Sequence, residues 1–268
     1  LFGMVSLELA DGLTISQELR YSQDQIDETS TPAGGTKGIF GDKFTNFLPR
    51  TIVEYQVSPD HMIYASAAKG NKPGGFNNSA GAGFSAVPNH LKPFDEESLW
   101  NYEAGVKTSW FDNKFTFNAS VFYIDWTNVQ VSTSIEVDGR NVSYTANAGK
   151  ADGLGFETEF RVRPNSNIDI FGGFGYSPLR IIDYVDKRAV SAGLPARERS
   201  QVAGTPDWTA NIGSVYTVPV GDNASVFLQG DVVYRSTTYA TEANLAETGA
   251  KTTVGMQLGY RAGGLRAG

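Results

Sequence analysis

Polar and apolar residues alternate along almost the whole chain. In LTISQELRY, Leu13, Ile15, Leu19 and Tyr21 share one side, with Thr14, Ser16, Glu18 and Arg20 on the other. In RTIVEYQV, Thr51, Val53, Tyr55 and Val57 oppose Arg50, Glu54 and Gln56. In LWNYEAGVKTSW, Trp100, Tyr102, Ala104, Val106 and Trp110 oppose Asn101, Glu103, Gly105 and Lys107. FTFNASVFY sets Phe115, Phe117, Ala119, Val121 and Tyr123 against Thr116, Asn118 and Ser120. GLGFETEFRVR sets Leu154, Phe156, Phe160 and Val162 against Glu157, Glu159, Arg161 and Arg163. The theme returns with Trp208, Ile212 and Tyr216, then with Val226, Leu228, Val232 and Tyr234. Successive side chains of a strand point to opposite faces, so each run predicts a strand with one apolar and one polar face. Helical periodicity is nearly absent.

About eleven such runs occur, each roughly 9 to 15 residues long, where globular strands average about 5 or 6. A tilted strand crossing a bilayer needs about 9 to 11 residues. The connections alternate in length. Short ones lie at 11–12, 58–60, 111–114, 164–167 and 219–223; long ones lie near 24–42, 70–97, 127–149, 185–206 and 241–250. Consecutive connections of an up-and-down sheet lie at opposite ends, so one end carries tight turns and the other large loops, as in outer-membrane barrels. Aromatics gather near strand ends (Trp100, Trp110, Phe111, Trp126, Trp208, Tyr234, Tyr239), where an interfacial girdle would place them. The predicted fold is an all-β, antiparallel up-and-down transmembrane β-barrel, present in part.

Composition narrows the function. The 268 residues carry a formal charge of −7 and no cysteine. An acidic chain is a poor match for nucleic acid, and the missing thiols exclude a disulfide framework or a thiolate metal centre. The mean hydropathy of −0.26 looks soluble, but alternation hides an apolar face inside a neutral average. No run of about 18 apolar residues predicts a membrane-spanning helix. No G-x-S-x-G elbow is present, and the two histidines, His61 and His90, stand apart, so neither a hydrolase nor a metal centre is indicated. The segment AAKGNKPGGFN at 67–77 lacks the G-x-x-x-x-G-K-[ST] pattern and a following helix, so it reads as a turn opening a long loop.

Two strings carry a family likeness. PRTIVEYQVSPDHMIYASAAKGNKPGGFN, followed after a gap by FDEESLWNYEAGVKTSWFDNKFTFNASVFYIDWTNVQV, resembles the barrel of TonB-dependent outer-membrane receptors. Tyr64, Ser66, Gly70, Lys72, Gly74, Gly75, Phe76 and Asn77 fit the first block. Glu97, Asn101, Tyr102, Glu103, Gly105, Lys107, Asp112, Asn113, Asn118, Phe122, Tyr123, Asp125 and Gln130 fit the second. NAGKADGLGFETEF and VAGTPDWTANIGSVYTV also look like family strands.

The resemblance implies a monomeric barrel of about 22 strands plugged by a separate N-terminal domain. Residues 1–268 would be a partial barrel domain, with the plug and the final strands outside the chain. The implied function is active import of a scarce solute, a ferric siderophore or other iron complex, across the outer membrane of a Gram-negative bacterium. The TonB–ExbB–ExbD complex would drive it through the plug, in a wall surrounded by lipid bilayer and lipopolysaccharide. The iron complex would be cargo, with no covalently bound cofactor and no resident metal. A passive, substrate-specific channel is the alternative.

Two residue sets follow. Lys72, Phe76, Asn77, Phe84 and His90 would contact ligand from the long loop, Lys72 suiting an anionic complex. Glu103, Lys107, Glu157, Glu159, Arg161 and Arg163 would face the lumen and the plug. The two glutamates and the two arginines along one strand face would balance each other.

Overall fold

The computed structural model describes residues 1–30, 38–77, 87–137, 139–182, 193, 199–262 and 265–267. The chain opens with β1 (Phe2–Ala10), β2 (Leu13–Ser30), β3 (Gly38–Ser58) and β4 (His61–Lys72). A loop segment follows, with β5 (Gly75–Phe76), a single 3-10 turn at Asn89–Leu91 and β6 (Pro93–Phe94). Next come β7 (Glu97–Trp110), β8 (Phe115–Val137), β9 (Arg140–Asn165) and β10 (Ile168–Tyr176). A second loop segment holds β11 (Arg180–Ile181) and β12 (Ser200–Gln201), before β13 (Trp208–Pro219) and β14 (Ala224–Arg235). A third holds β15 (Thr238–Tyr239) and β16 (Glu247–Thr248), before β17 (Lys251–Ala262) and β18 (Leu265–Ala267).

The long strands pair in chain order, β1-β2-β3-β4-β7-β8-β9-β10-β13-β14-β17-β18, twelve strands in one meander. β11 extends it locally by pairing with β9 and β12, while β5–β6 and β15–β16 are separate ribbons. All of these pairings are antiparallel.

Register fixes the faces. Ile15 pairs with Val53, Val53 with Ala65, Ala65 with Ala104, Ala104 with Val121, and Val121 with Phe156. Farther on, Ile212 pairs with Val232 and Val232 with Val254. A one-residue slip at any pair would turn a strand's apolar set to the wrong face. This apolar face has no protein cover: Ile212 is 54% exposed, Leu228 46%, Val121 56% and Leu258 69%. A band of this width is far more apolar surface than water tolerates on a soluble protein, and it suits hydrocarbon.

On the opposite face, rings lie over glycines of the next strand. A methyl group placed on Gly105 would come within 2.7 Å of the Tyr64 ring, on Gly155 within 2.5 Å of the Phe122 ring, and on Gly213 within 2.7 Å of the Phe171 ring. Each such pair fixes the register of one strand against its neighbour.

The short turns sit at one end and are tied sideways. Gly12 O accepts from Gln56 N at 2.8 Å, Asp60 O from Ser109 N at 2.8 Å, Lys114 O from Arg163 N at 2.6 Å, and Asn167 O from Thr217 N at 2.8 Å. Gly12 has φ +73° and its hypothetical Cβ would lie 2.8 Å from Gln56 O, so glycine is required there. Phe111, Asp112 and Asn113 all have positive φ, near 56°, 55° and 63°.

At the other end two expected loops are largely strand. β2 and β3 remain paired from Leu13↔Tyr55 to Ser30↔Gly38. β8 and β9 remain paired to Val137↔Arg140. The outer part of β2 lacks an apolar face, and backbone pairing does not require one; the outer part of β8 keeps one in Val129 and Val131, but loop residues and not lipid cover it. The outer β8–β9 hairpin is set off at Asn128 (φ 55°) and Gly149 (φ 23°), which drop out of the pairing. It rests on the largest buried apolar cluster among the described residues: Val129, Val131, Ala151, Ile181 and Val202, with Trp126 and Leu179 packed on it. Trp126 therefore belongs to this small core and not to an interfacial girdle. No described helix is long and apolar enough to cross a membrane, which leaves crossing by strands untouched.

Candidate functional site

The segment 73–97 and the outer β8–β9 hairpin form one construction. β4 delivers Lys72 and Pro73 to its edge. Gly74 then runs so close to Phe94 O and the Phe44 ring that no side chain fits. Asn77 clamps the hairpin. Its Nδ2 donates to Leu91 O at 2.8 Å and Thr145 O at 2.7 Å, its Oδ1 accepts from Thr145 N at 2.7 Å, and its own N donates to Lys92 O at 2.6 Å. Asn147 does the reciprocal job. Its Oδ1 accepts from Asp95 N at 2.8 Å, and its Nδ2 donates to Asp95 O and Asn128 O, both at 2.9 Å. Gln130 completes the belt, donating its N to Glu97 Oε2 at 2.6 Å and its Nε2 to Pro73 O at 2.9 Å. Side-chain amides carry both a donor and an acceptor, so they can satisfy backbone groups that no strand reaches.

The expected ligand contacts distribute as follows. Lys72 Nζ lies 3.9 Å from Glu97 Oε1. Phe76 packs on Phe40 with ring centroids 5.7 Å apart, and Lys92 Nζ sits 4.8 Å over the other residue of that pair, Phe40. Asn77 is consumed by the clamp. His90 is exposed on the 3-10 turn. Phe84 lies outside the described residues. Glu97, Gln130, Thr145 and Asn147 complete the belt and were not among the expected contacts. Glu97 and Gln130 stand in the quoted motif, and that was their only signal.

The second cluster lies on the polar face of the wall. Tyr64 from β4, Glu103 and Lys107 from β7, Asn118 from β8, and Glu157 and Glu159 from β9 line a cavity of about 210 Å³. Tyr64 Oη donates to Glu103 Oε1 at 2.5 Å, and Lys107 Nζ lies 5.5 Å over the Tyr64 ring. Among the described residues neither Glu157 nor Glu159 has an ion-pair partner. The expected balance along β9 is not formed. Arg161 and Arg163 both turn to Asp169 of β10, Arg161 Nε at 2.7 Å from Oδ1 and Arg163 Nε at 3.3 Å from Oδ2, with a second Arg161 nitrogen on the other oxygen. Residues two apart on one strand stand about 7 Å apart, whereas a neighbouring strand offers closer partners.

A third knot lies beyond β10. Arg180 pairs bidentately with Asp207, at 2.7 and 2.5 Å, and these hydrogen bonds hold its guanidinium above its ordinary pKa. Asn244 Oδ1 accepts from Gln201 N at 2.6 Å while its Nδ2 returns a bond to Gln201 O at 2.9 Å. No group of three His, Asp or Glu side chains among the described residues is disposed to hold a metal ion.

The chain is similar to known receptors in sequence and in fold. The family model described as TonB dependent receptor-like, beta-barrel, matches residues 1–268. The metal-pseudopaline receptor CntO of Pseudomonas aeruginosa is 30% identical over 128 residues, 48% of this chain and 16% of that receptor. The pesticin receptor of Yersinia pestis is 31% identical over 172 residues, 61% of this chain and 24% of that receptor. In three dimensions, the ferric yersiniabactin uptake receptor FyuA from Yersinia pestis superposes with a TM-score of 0.75 at 21% identity, covering 98% of this chain and 38% of that one. The chain thus spans well under half the length of these relatives.

Proposed function

This chain belongs to the TonB-dependent receptor β-barrel family, and from that premise we propose that it is part of the wall of an outer-membrane receptor that imports a scarce metal complex. The cargo class is a ferric siderophore or related chelate. Import is coupled to the TonB–ExbB–ExbD complex through a plug domain seated against the polar face. Relatives named as receptors for metal-pseudopaline and pesticin, and for ferric yersiniabactin uptake, support a binding and import role over an enzymatic one.

One observation carries the reading: twelve strands in one meander keep an apolar face and a polar face in register. Hydrocarbon covers the first, and a polar filling covers the second. The notch of Tyr64, Glu103, Lys107, Glu157 and Glu159 is the plug-facing surface, where the two unpaired carboxylates take up basic groups of that filling. Arg161 and Arg163, tied to Asp169, stand on the same face nearer the short turns. The long-connection end is the outer mouth, and Lys72 at the end of β4, with Phe76 and His90 of the following loop segment, borders it.

The test is uptake of radioactive iron, supplied as siderophore complexes, by cells expressing the full-length protein. Saturable uptake abolished by a protonophore is the expected result. Uptake that rises linearly with concentration and ignores the protonophore would establish a passive channel instead.

A further inference from the structure

The outer hairpin of β8 and β9 has two unlike faces. Val131 pairs with Ala146 and Ile135 with Val142, and Val129 and Val131, each 2% exposed, are sunk in the small core with Ile181 and Val202. The other face is polar along its whole length, as the pairs Gln130/Asn147, Ser132/Thr145, Ser134/Ser143 and Glu136/Asn141. The first two pairs meet the 73–97 segment through the amide belt. The last two lie farther out, and Ser132, Glu136, Asn141 and Ser143 are exposed.

A hairpin that merely met water would need no such bracing. This one is fixed through its apolar face by a buried core and through its polar end by Asn77, Gln130 and Asn147. Bracing of this kind removes the ordering cost of binding before a ligand arrives. The face so held offers hydroxyls and amides, with Glu136 the one charge among its described side chains. Among the described residues, Lys72 Nζ lies 3.9 Å from Glu97 Oε1 and Lys92 Nζ lies over Phe40. Asp95 and Glu96 stand beside the belt without an ion-pair partner among the described residues, and their charges oppose an approaching anion.

We infer that the polar face of this hairpin, Ser132, Ser134, Asn141, Ser143 and Thr145, is a ligand-binding surface for an uncharged, oxygen-rich metal chelate, and that Asn77 is the residue that positions it. The inference rests on the import reading and deepens it. It replaces an anionic cargo drawn to Lys72 with a neutral one held by hydroxyl and amide hydrogen bonds. Loss of a hydroxyl leaves a ligand oxygen unpaired, so discrimination comes from polar complementarity and not from net charge.

Two probes separate the outcomes: a neutral ferric trishydroxamate and a trianionic ferric tricatecholate, each titrated by tryptophan fluorescence against the full-length protein in liposomes. The neutral complex is expected to bind at least about tenfold more tightly. Ser134→Val with Ser143→Val should weaken it by about tenfold while leaving amide exchange of the hairpin unchanged. Asn77→Ala should weaken it similarly and also speed exchange at the Thr145 amide, and Asn77→Gln, which keeps the amide, should recover part of the loss. Preferred binding of the tricatecholate, or serine variants within about twofold of the parent, would overturn the inference and leave import standing. Binding of neither complex would overturn the inference, and the uptake assay would then decide the import reading separately.

Discussion

At the scale of single residues, the glycines of AAKGNKPGGFN do different work. Gly70 has open space around its α-carbon, whereas a side chain on Gly74 would strike the Phe94 carbonyl and the Phe44 ring. Backbone oxygen cannot step aside as a flexible side chain can. Gly74→Ala is therefore expected to cost about 1–3 kcal/mol in urea unfolding of the vesicle-embedded protein, with Gly70→Ala within about 0.5 kcal/mol of the parent. Equal effects would mean that the segment is not packed as described. The sequence marks both positions as turn-permissive and cannot rank them, because the obstacle comes from Phe44 and Phe94, about 20 to 30 residues away along the chain. The same holds for Asn77. Its place just after Gly74, Gly75 and Phe76 suggests an exposed loop contact, but its partner Thr145 is 68 residues away.

At the scale of elements, the strands were legible wherever one face meets lipid, because a buried or lipid-facing side forces a period of two. They were less legible beyond the lipid, and both outer parts read as loops: outer β2 carries no apolar face, and Val129 and Val131 of outer β8 pack on Ile181 and Val202 of a later loop segment. The Arg161–Asp169–Arg163 group was hidden for a related reason: alternation reports which face a residue takes and not which cross-strand neighbour it meets. The facing itself can be tested on β14, where Leu228 lies on the apolar face and Gln229 on the polar one. Leu228→Arg should destabilise the protein in a bilayer by about 2–4 kcal/mol, while Gln229→Arg should cost less than about 1 kcal/mol. Denaturant-induced unfolding from phospholipid vesicles reads both. A larger penalty at Gln229 would invert the wall.

At the scale of the whole molecule, stability does not come from an interior. Among the described residues the fully buried side chains are few, and the largest, Ile181 and Val129, sit at the loop end. The wall itself is held by continuous backbone pairing, by rings seated over glycines, and by whatever covers its two faces. A notch with two unpaired glutamates on one side and an unbroken apolar band on the other define different environments, and function follows from keeping them apart. The chain has no cysteine, so single cysteines report on this directly. The decisive measurement places them at Ile212, Leu228 and Met256, and separately at Asn211, Gln229 and Gln257, in the full-length protein in liposomes. Each is labelled with a bimane and exposed to a bilayer-confined spin-labelled lipid. Quenching confined to the first three positions is what a membrane wall with this register requires. Quenching at the second three, or equal quenching at all six, would contradict it.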